Sequence, residues 1–91
     1  MGNVKYSKIA TSNGWIKLQE KETYEKEFDS YEYLKIYNVT NRLKIYINNS
    51  KDYIYLCSGE ELILQDFSIN SIKIETDTEV GVSSLMYYVC K

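Results

Sequence analysis

Ninety-one residues, 44% of them apolar and 26% charged, suffice for one domain with a single core, and at a net charge of −2 they are too apolar for a disordered chain. The slightly acidic balance argues against a phosphate-tracking surface, which needs a concentrated basic face. No window approaches the ~18 consecutive apolar residues of a membrane span, and Met1-Gly2-Asn3-Val4-Lys5-Tyr6 has no apolar signal region. Neither nucleic acid nor membrane is an expected partner.

Val4 to Ala10 reads as a weak strand, and Ile16 and Leu18 share a face of a second strand over Trp15 to Gln19. Asn13-Gly14 lies between them, and because both residues tolerate positive φ this is a strong hairpin signal, so an N-terminal hairpin is expected. Glu20 to Ser30 is rich in Glu and Lys, with Tyr24, Phe28 and Tyr31 at helical spacing. So short a helix is marginal without a cap and a packed face, and a loop with one helical turn is the expectation. Residues 1–30 thus read as an N-terminal hairpin followed by a segment available for attachment.

From Tyr31 the alternation is regular. Leu34 and Ile36 face one way and Tyr33, Lys35 and Tyr37 the other; after Asn38-Val39-Thr40-Asn41, Leu43, Ile45 and Ile47 lie opposite Lys44, Tyr46 and Asn48. Asn48-Asn49-Ser50-Lys51-Asp52 is a turn cluster that leads into Tyr53-Ile54-Tyr55-Leu56. Cys57-Ser58-Gly59-Glu60 separates that run from Leu62-Ile63-Leu64, which predicts a central hairpin, and Ser71-Ile72-Lys73-Ile74-Glu75 gives a further strand. Val80 to Val89 is a last strand pair or one long strand bent near Gly81. Turns every ~8 to 12 residues predict an all-β fold, a single small antiparallel β-sandwich or barrel of about seven strands. Its expected core is Leu43, Ile45, Ile47, Ile54, Leu56, Leu62, Leu64, Ile72 and Ile74.

Without histidine, every scheme with an imidazole base is closed. Cys57 and Cys90 lack that activating partner and are expected to be reduced, half-buried thiols, a disulfide between them being the alternative. Glu60-Glu61 and Glu75-Thr76-Asp77-Thr78-Glu79 hold paired carboxylates. So short a chain has little material for a glycosidase cleft, and the acidic run lacks the glycine and spacing of a calcium loop. The reading is of a protein that is not an enzyme, with no catalytic residues, no metal ligands and no cofactor.

Tyrosine is the most informative residue type. With the aliphatic residues turned inward, Tyr33, Tyr37, Tyr46, Tyr53 and Tyr55 all turn outward on successive strands. One reading is that Tyr is a good strand former on a half-exposed face; the other is a contact surface, since Tyr is enriched at interfaces. Trp15 beside the Asn13-Gly14 turn is either a core plug, the favoured reading, or an exposed contact. These six residues are the candidate partner contacts.

The succession Leu43-Lys44-Ile45-Tyr46-Ile47-Asn48-Asn49, Tyr53-Ile54-Tyr55-Leu56, Ser58-Gly59-Glu60-Glu61-Leu62, Ile72-Lys73-Ile74 and Val80 to Val89 resembles small β-sandwich accessory virion proteins of tailed bacteriophages. Ser58 stands where that pattern commonly has proline. The resemblance implies a structural virion protein, made in the host cytoplasm, that decorates the capsid or forms part of the tail or a fibre. It further implies a homo-oligomer whose partner is the major capsid or tail protein lattice. Two other classes are a small acidic phage-encoded inhibitor of a host protein and a carbohydrate-binding module, the latter marked by an aromatic row in a shallow groove.

Overall fold

Seven strands and no helix form in the computed structural model, which describes residues 5–77 and 81–91. They are β1 (Ile9–Thr11), β2 (Ile16–Gln19), β3 (Thr23–Thr40), β4 (Arg42–Ile47), β5 (Ile54–Cys57), β6 (Leu62–Thr76) and β7 (Val82–Cys90). All pairings are antiparallel, in the order β1-β7-β3-β6-β4-β5, with β2 also on β7. The all-β antiparallel expectation is what forms.

Two long strands give the sheet its shape. Residues 33–36 of β3 lie between residues 62–65 of β6 and residues 87–90 of β7, whereas residues 72–75 of β6 lie between residues 23–26 of β3 and β4. Each long strand therefore serves two layers: β1/β2, β7, the second half of β3 and the first half of β6 make one, and β5, β4, the second half of β6 and the first half of β3 make the other. The change of layer falls at register shifts between Glu27 and Tyr33, where Ser30 (φ 49°) of β3, whose Oγ donates to Asn70 Oδ1 at 2.9 Å, and Asp66 (φ 56°) of β6 both take positive φ. Such bulges bend and twist a strand. Where the layers meet, Thr76 Oγ1 donates to the Leu18 carbonyl at 3.0 Å and Ser83 Oγ to the Arg42 carbonyl at 3.0 Å.

Asparagine supplies much of the bending. Asn13, Asn38, Asn41, Asn48 and Asn49 all have positive φ, a region that Asn enters at less cost than other side chains that bear a Cβ. Asn48 is also a strut: its Oδ1 accepts from the N–H of Asn70 (2.7 Å) and Ser71 (3.2 Å), and its Nδ2 donates to the Ser68 carbonyl at 2.7 Å.

One apolar cluster fills the space between the layers. Leu34, Ile36, Leu43, Ile45, Ile69, Ile74, Leu85 and Val89 are fully buried, and Ile47, Leu56 and Ile72 nearly so. Ile54, Leu62 and Leu64, expected inside, are only partly buried against this cluster because they lie on edge strands.

Several expected pairings do not form. β1 and β2 are not a hairpin: both lie along β7, Ile9 opposite Cys90 and Ile16 opposite Leu85. The positive φ of Asn13 and Gly14 serves a jog between two segments of one edge, where Ser12 Oγ donates to the Gly14 carbonyl at 2.7 Å. The central hairpin is also displaced. β5 pairs with β4, while residues 62–65 pair with β3, so the turn at Ser58-Gly59 carries the chain from one layer to the other. Gly59 N–H, bonded to the Val39 carbonyl at 3.0 Å, anchors that crossing.

Residues 23–30 are strand, not loop or helical turn. Tyr24 and Phe28 are four apart and share a face in a strand as well as in a helix, and the Ser30 bulge brings Tyr31 to the same side. Pairing with β6 decides between the two. Val4, the start of the first expected strand, lies outside the described residues, as do Thr78, Glu79 and Val80.

Candidate functional site

The outward tyrosines fall into two groups, one on each layer. On the first, Tyr88 of β7 stands opposite Lys35 and inserts between the rings of Tyr33 and Tyr37. It stacks on Tyr33 (centroids 5.8 Å apart, planes at 20°) and meets Tyr37 edge-on at 5.9 Å, while Tyr6 leans on Tyr33 at 5.7 Å. Lys35 Nζ lies 5.8 Å from the Tyr37 ring centre. Burial, with the Tyr33 hydroxyl, pushes the Tyr88 phenol above its usual range. Tyr33 and Tyr37 are half-buried, and they spend much of their area on each other's neighbours.

On the second layer, Tyr46 and Tyr53 meet at 5.7 Å and Tyr53 and Tyr55 at 6.5 Å. Lys44 Nζ sits 5.0 Å from the Tyr53 ring centre and Lys73 Nζ 5.2 Å from that of Tyr46, the geometry of cation–π attraction. Register explains the mixture, since Lys44 opposes both Tyr55 and Glu75, and Tyr46 opposes Lys73. The Glu75 carboxylate holds the Tyr46 phenol up, and Asp77, which accepts a hydrogen bond from the Tyr55 hydroxyl, does the same there. Among the described residues no ring contact joins the two groups, because β6 separates β3 from β4. The single tyrosine face expected from alternation is thus two faces.

Trp15 is 52% exposed, so it is not the core plug of the favoured reading.

Sequence reasoning missed the two open sides between the layers. One lies between β1 and residues 26–31 of β3, a groove of about 610 Å³ with Phe28, Tyr31 and Tyr87 in its wall. Tyr87 is 2% exposed and shares a 2.7 Å hydrogen bond with the Tyr24 hydroxyl, and burial together with that hydroxyl drives its phenol strongly upward. Lys91 Nζ spans the rim, 3.1 Å from Asp29 Oδ2 and 4.8 Å from the Tyr31 ring centre. The signal lay in Tyr24, Phe28 and Tyr31, but finding the groove needed the place of Tyr87. The other side lies between β5 and residues 64–67 of β6, a cleft of about 290 Å³ walled by Ile45, Ile47, Ile54, Leu64, Phe67 and Tyr53. Phe67 is 46% exposed and Tyr53 48%.

Among the described residues no group of three or more His, Cys, Asp or Glu could hold a metal ion. Cys57 and Cys90 are free and half-buried, and burial pushes the Cys90 thiol up, away from the thiolate.

No family model matches this chain, and no curated protein matches it. Solved structures do. The cupin domain of Cnp3 from Schizosaccharomyces pombe superimposes with a TM-score of 0.61 at 11% identity, covering 100% of this chain and 57% of that one. The EutQ protein of Clostridium difficile gives 0.56 at 13% identity, covering 90% and 56%, and a cupin protein from Bacteroides fragilis 0.54 at 12%, covering 99% and 79%. The chain spans a little over half the length of the first two. At such identities the likeness concerns architecture alone: this chain has a cupin-like, all-β antiparallel fold.

Proposed function

We propose that this chain is a non-enzymatic binding domain that works by protein–protein contact, with a repetitive protein surface as its partner. The observation that carries the reading is the side between β5 and β6, where Tyr53 and Phe67, 48% and 46% exposed, line a largely apolar cleft, with Tyr55, 39% exposed, beside Tyr53 on the outer face. Clustered exposed apolar groups of this kind mark contact sites, and Tyr provides contact area at low entropic cost. The side-chain chemistry favours contact over catalysis, since no His is present and burial pushes the Cys90 thiol up, away from the thiolate.

Many copies on one lattice would let modest single-site affinity suffice through avidity. A bacteriophage capsid or tail is the lattice to which the turn pattern of residues 43–89 points; the solved structures of similar fold are not described as virion proteins. A sugar platform fits less well, because the Tyr46, Tyr53 and Tyr55 rings are inclined by 60° and 59° to their neighbours and offer no flat row.

The test is to purify native particles from the source and measure copy number by quantitative mass spectrometry. Symmetry-related, high copy number is expected. Absence from particles, or one-to-one association with a host enzyme, would replace this reading with the inhibitor class.

A further inference from the structure

We propose that β5 of one copy pairs antiparallel with β5 of a second copy across a two-fold axis at Tyr55, joining two second layers into one continuous sheet. The proposal rests on the protein-contact reading above and names a second copy of this chain as the first partner.

The choice of edge follows from comparing the four that the layers leave open. Natural sheets guard edges with charge, bulges and interruptions. The edge of β3 carries Glu25, Lys26, Glu27 and Asp29 and ends at the Ser30 bulge. That of β6 is broken by the positive φ of Asp66, which Lys5 pairs at 3.2 Å. The third edge is split into β1 and β2 by the jog at Asn13-Gly14 and bears Lys17. β5 carries the least protection: Ile54-Tyr55-Leu56-Cys57 contains no charge and no positive φ, its register with β4 is unbroken, and only Cys57 at its end is capped, by Glu60.

The backbone of β5 points to the register. Glu60 Oε1 accepts from the Cys57 N–H at 2.6 Å and the Glu60 N–H donates to the Cys57 carbonyl at 3.0 Å, so both polar groups of Cys57 face away from β4. Backbone direction alternates along an antiparallel strand, and the N–H and C=O of Tyr55 therefore face the same open edge. Those of Cys57 are already engaged by Glu60, which leaves Tyr55 at the centre of what a second strand meets. Two Tyr55 residues related by a two-fold axis exchange both hydrogen bonds.

Side chains and charge agree with that axis. Opposed residues in an antiparallel pair share a face, and centring on Tyr55 sets Ile54 against Leu56 of the second copy, inward against inward. One register step would oppose Tyr55 to Leu56 in one direction and to Ile54 in the other. The same axis brings the exposed Lys51-Asp52 turn of each copy to the 58–61 turn of the other, where Glu61 is paired with Lys35 at 3.6 Å and Glu60 is left to face Lys51. Parallel pairing would instead set Lys51 against Lys51. Lys51 thus lies near Glu60 at both ends of the shared ladder, and the Tyr46, Tyr53 and Tyr55 groups of the two copies become one surface.

Sedimentation velocity on the full chain, from about 1 μM to about 1 mM, spans the range of weak assembly. A concentration-dependent dimer is expected, and Tyr55→Pro, which removes an edge-facing N–H without breaking the ladder to β4, should weaken it at least about tenfold. Lys51→Glu should weaken it too. With Cys57 and Cys90 changed to Ser, Tyr55→Cys should form a covalent dimer under mild oxidation, because Cα atoms of such a pair lie about 5.5 Å apart, within disulfide reach. Lys17→Cys on the opposite edge should not. This second measurement decides the matter even if Tyr55→Pro fails to fold. A monomer throughout, a dimer indifferent to Tyr55→Pro, or no cross-link through residue 55 would each overturn the pairing. Particle occupancy separates the two readings: a strict monomer found at high copy on particles sinks the self-pairing alone.

Discussion

Tyr24 and Tyr87 offer a test in which the order of effects matters more than their size. Their hydroxyls share one 2.7 Å hydrogen bond, but Tyr87 is 2% exposed while Tyr24 is half-exposed at the groove. Tyr87→Phe removes the inner hydroxyl and leaves the outer one within reach of water, so the loss is that of an ordinary hydrogen bond, about 0.5 to 1.5 kcal/mol. Tyr24→Phe leaves a buried hydroxyl without its partner and should cost more, about 1 to 3 kcal/mol. Changing both should cost no more than Tyr24→Phe alone, because the second change removes the stranded group. Urea unfolding resolves these differences, and each 1 kcal/mol moves the midpoint of thermal unfolding by about 4 to 8 °C in a domain of this size. Additive losses, or a larger loss for Tyr87→Phe than for Tyr24→Phe, would refute the reasoning. The same pair sets the alkaline limit. The Tyr87 phenol is raised above its ordinary 10.0 by burial first and then by Tyr24. Its contribution is whole below pH 10.0 and is lost as pH climbs through the folded value, since the unfolded chain releases the proton first. Tyr87→Phe should flatten the fall in stability above pH 10.0.

Ile45→Ala, at a site with 0% exposure, should cost about 2 to 5 kcal/mol by urea unfolding, whereas a loss under about 1 kcal/mol would place Ile45 outside the core. Asn48→Ala removes the strut to Ser68, Asn70 and Ser71 and puts Ala at φ 54°, so about 1 to 3 kcal/mol should be lost; an unchanged urea midpoint would count against the strut. Alkylation without reductant should label both Cys57 and Cys90 once the chain is denatured, and a mass two hydrogens lighter with no label would reveal a disulfide. In the native protein Cys90 should react more slowly than a free thiol peptide at neutral pH, because burial holds its thiol protonated.

Strands were legible wherever one face is buried. Leu34 and Ile36, Leu43, Ile45 and Ile47, and Ile72 and Ile74 alternate because each has a wet side, and period two records that directly. Pairing was not legible, because Asn13-Gly14 and Ser58-Gly59 specify that the chain turns and not which strand it meets next. The first is spent on a jog along β7 and the second on a change of layer. Residues 23–28 were misread for a related reason: four-residue spacing of Tyr24 and Phe28 belongs to both helix and strand, and only the partner β6 resolves it. For the candidate contacts, outward orientation followed from alternation, but the separation of Tyr33 and Tyr37 from Tyr46, Tyr53 and Tyr55 depends on β6 lying between them. Tyr6 and Tyr88 were invisible as partners of Tyr33 because they come from the two far ends of the chain.

β7 meets β1, β2 and β3, all of them laid down in the first half of the sequence. During synthesis these three segments leave the ribosome well before the strand that completes them, and Leu18, Leu34 and Ile36 must wait without Leu85, Tyr87 and Val89. The first layer therefore cannot form strand by strand as it emerges. Its completion is deferred until β7 has been added, and throughout that interval the apolar residues that β7 will cover are open to chaperones and to neighbouring nascent chains.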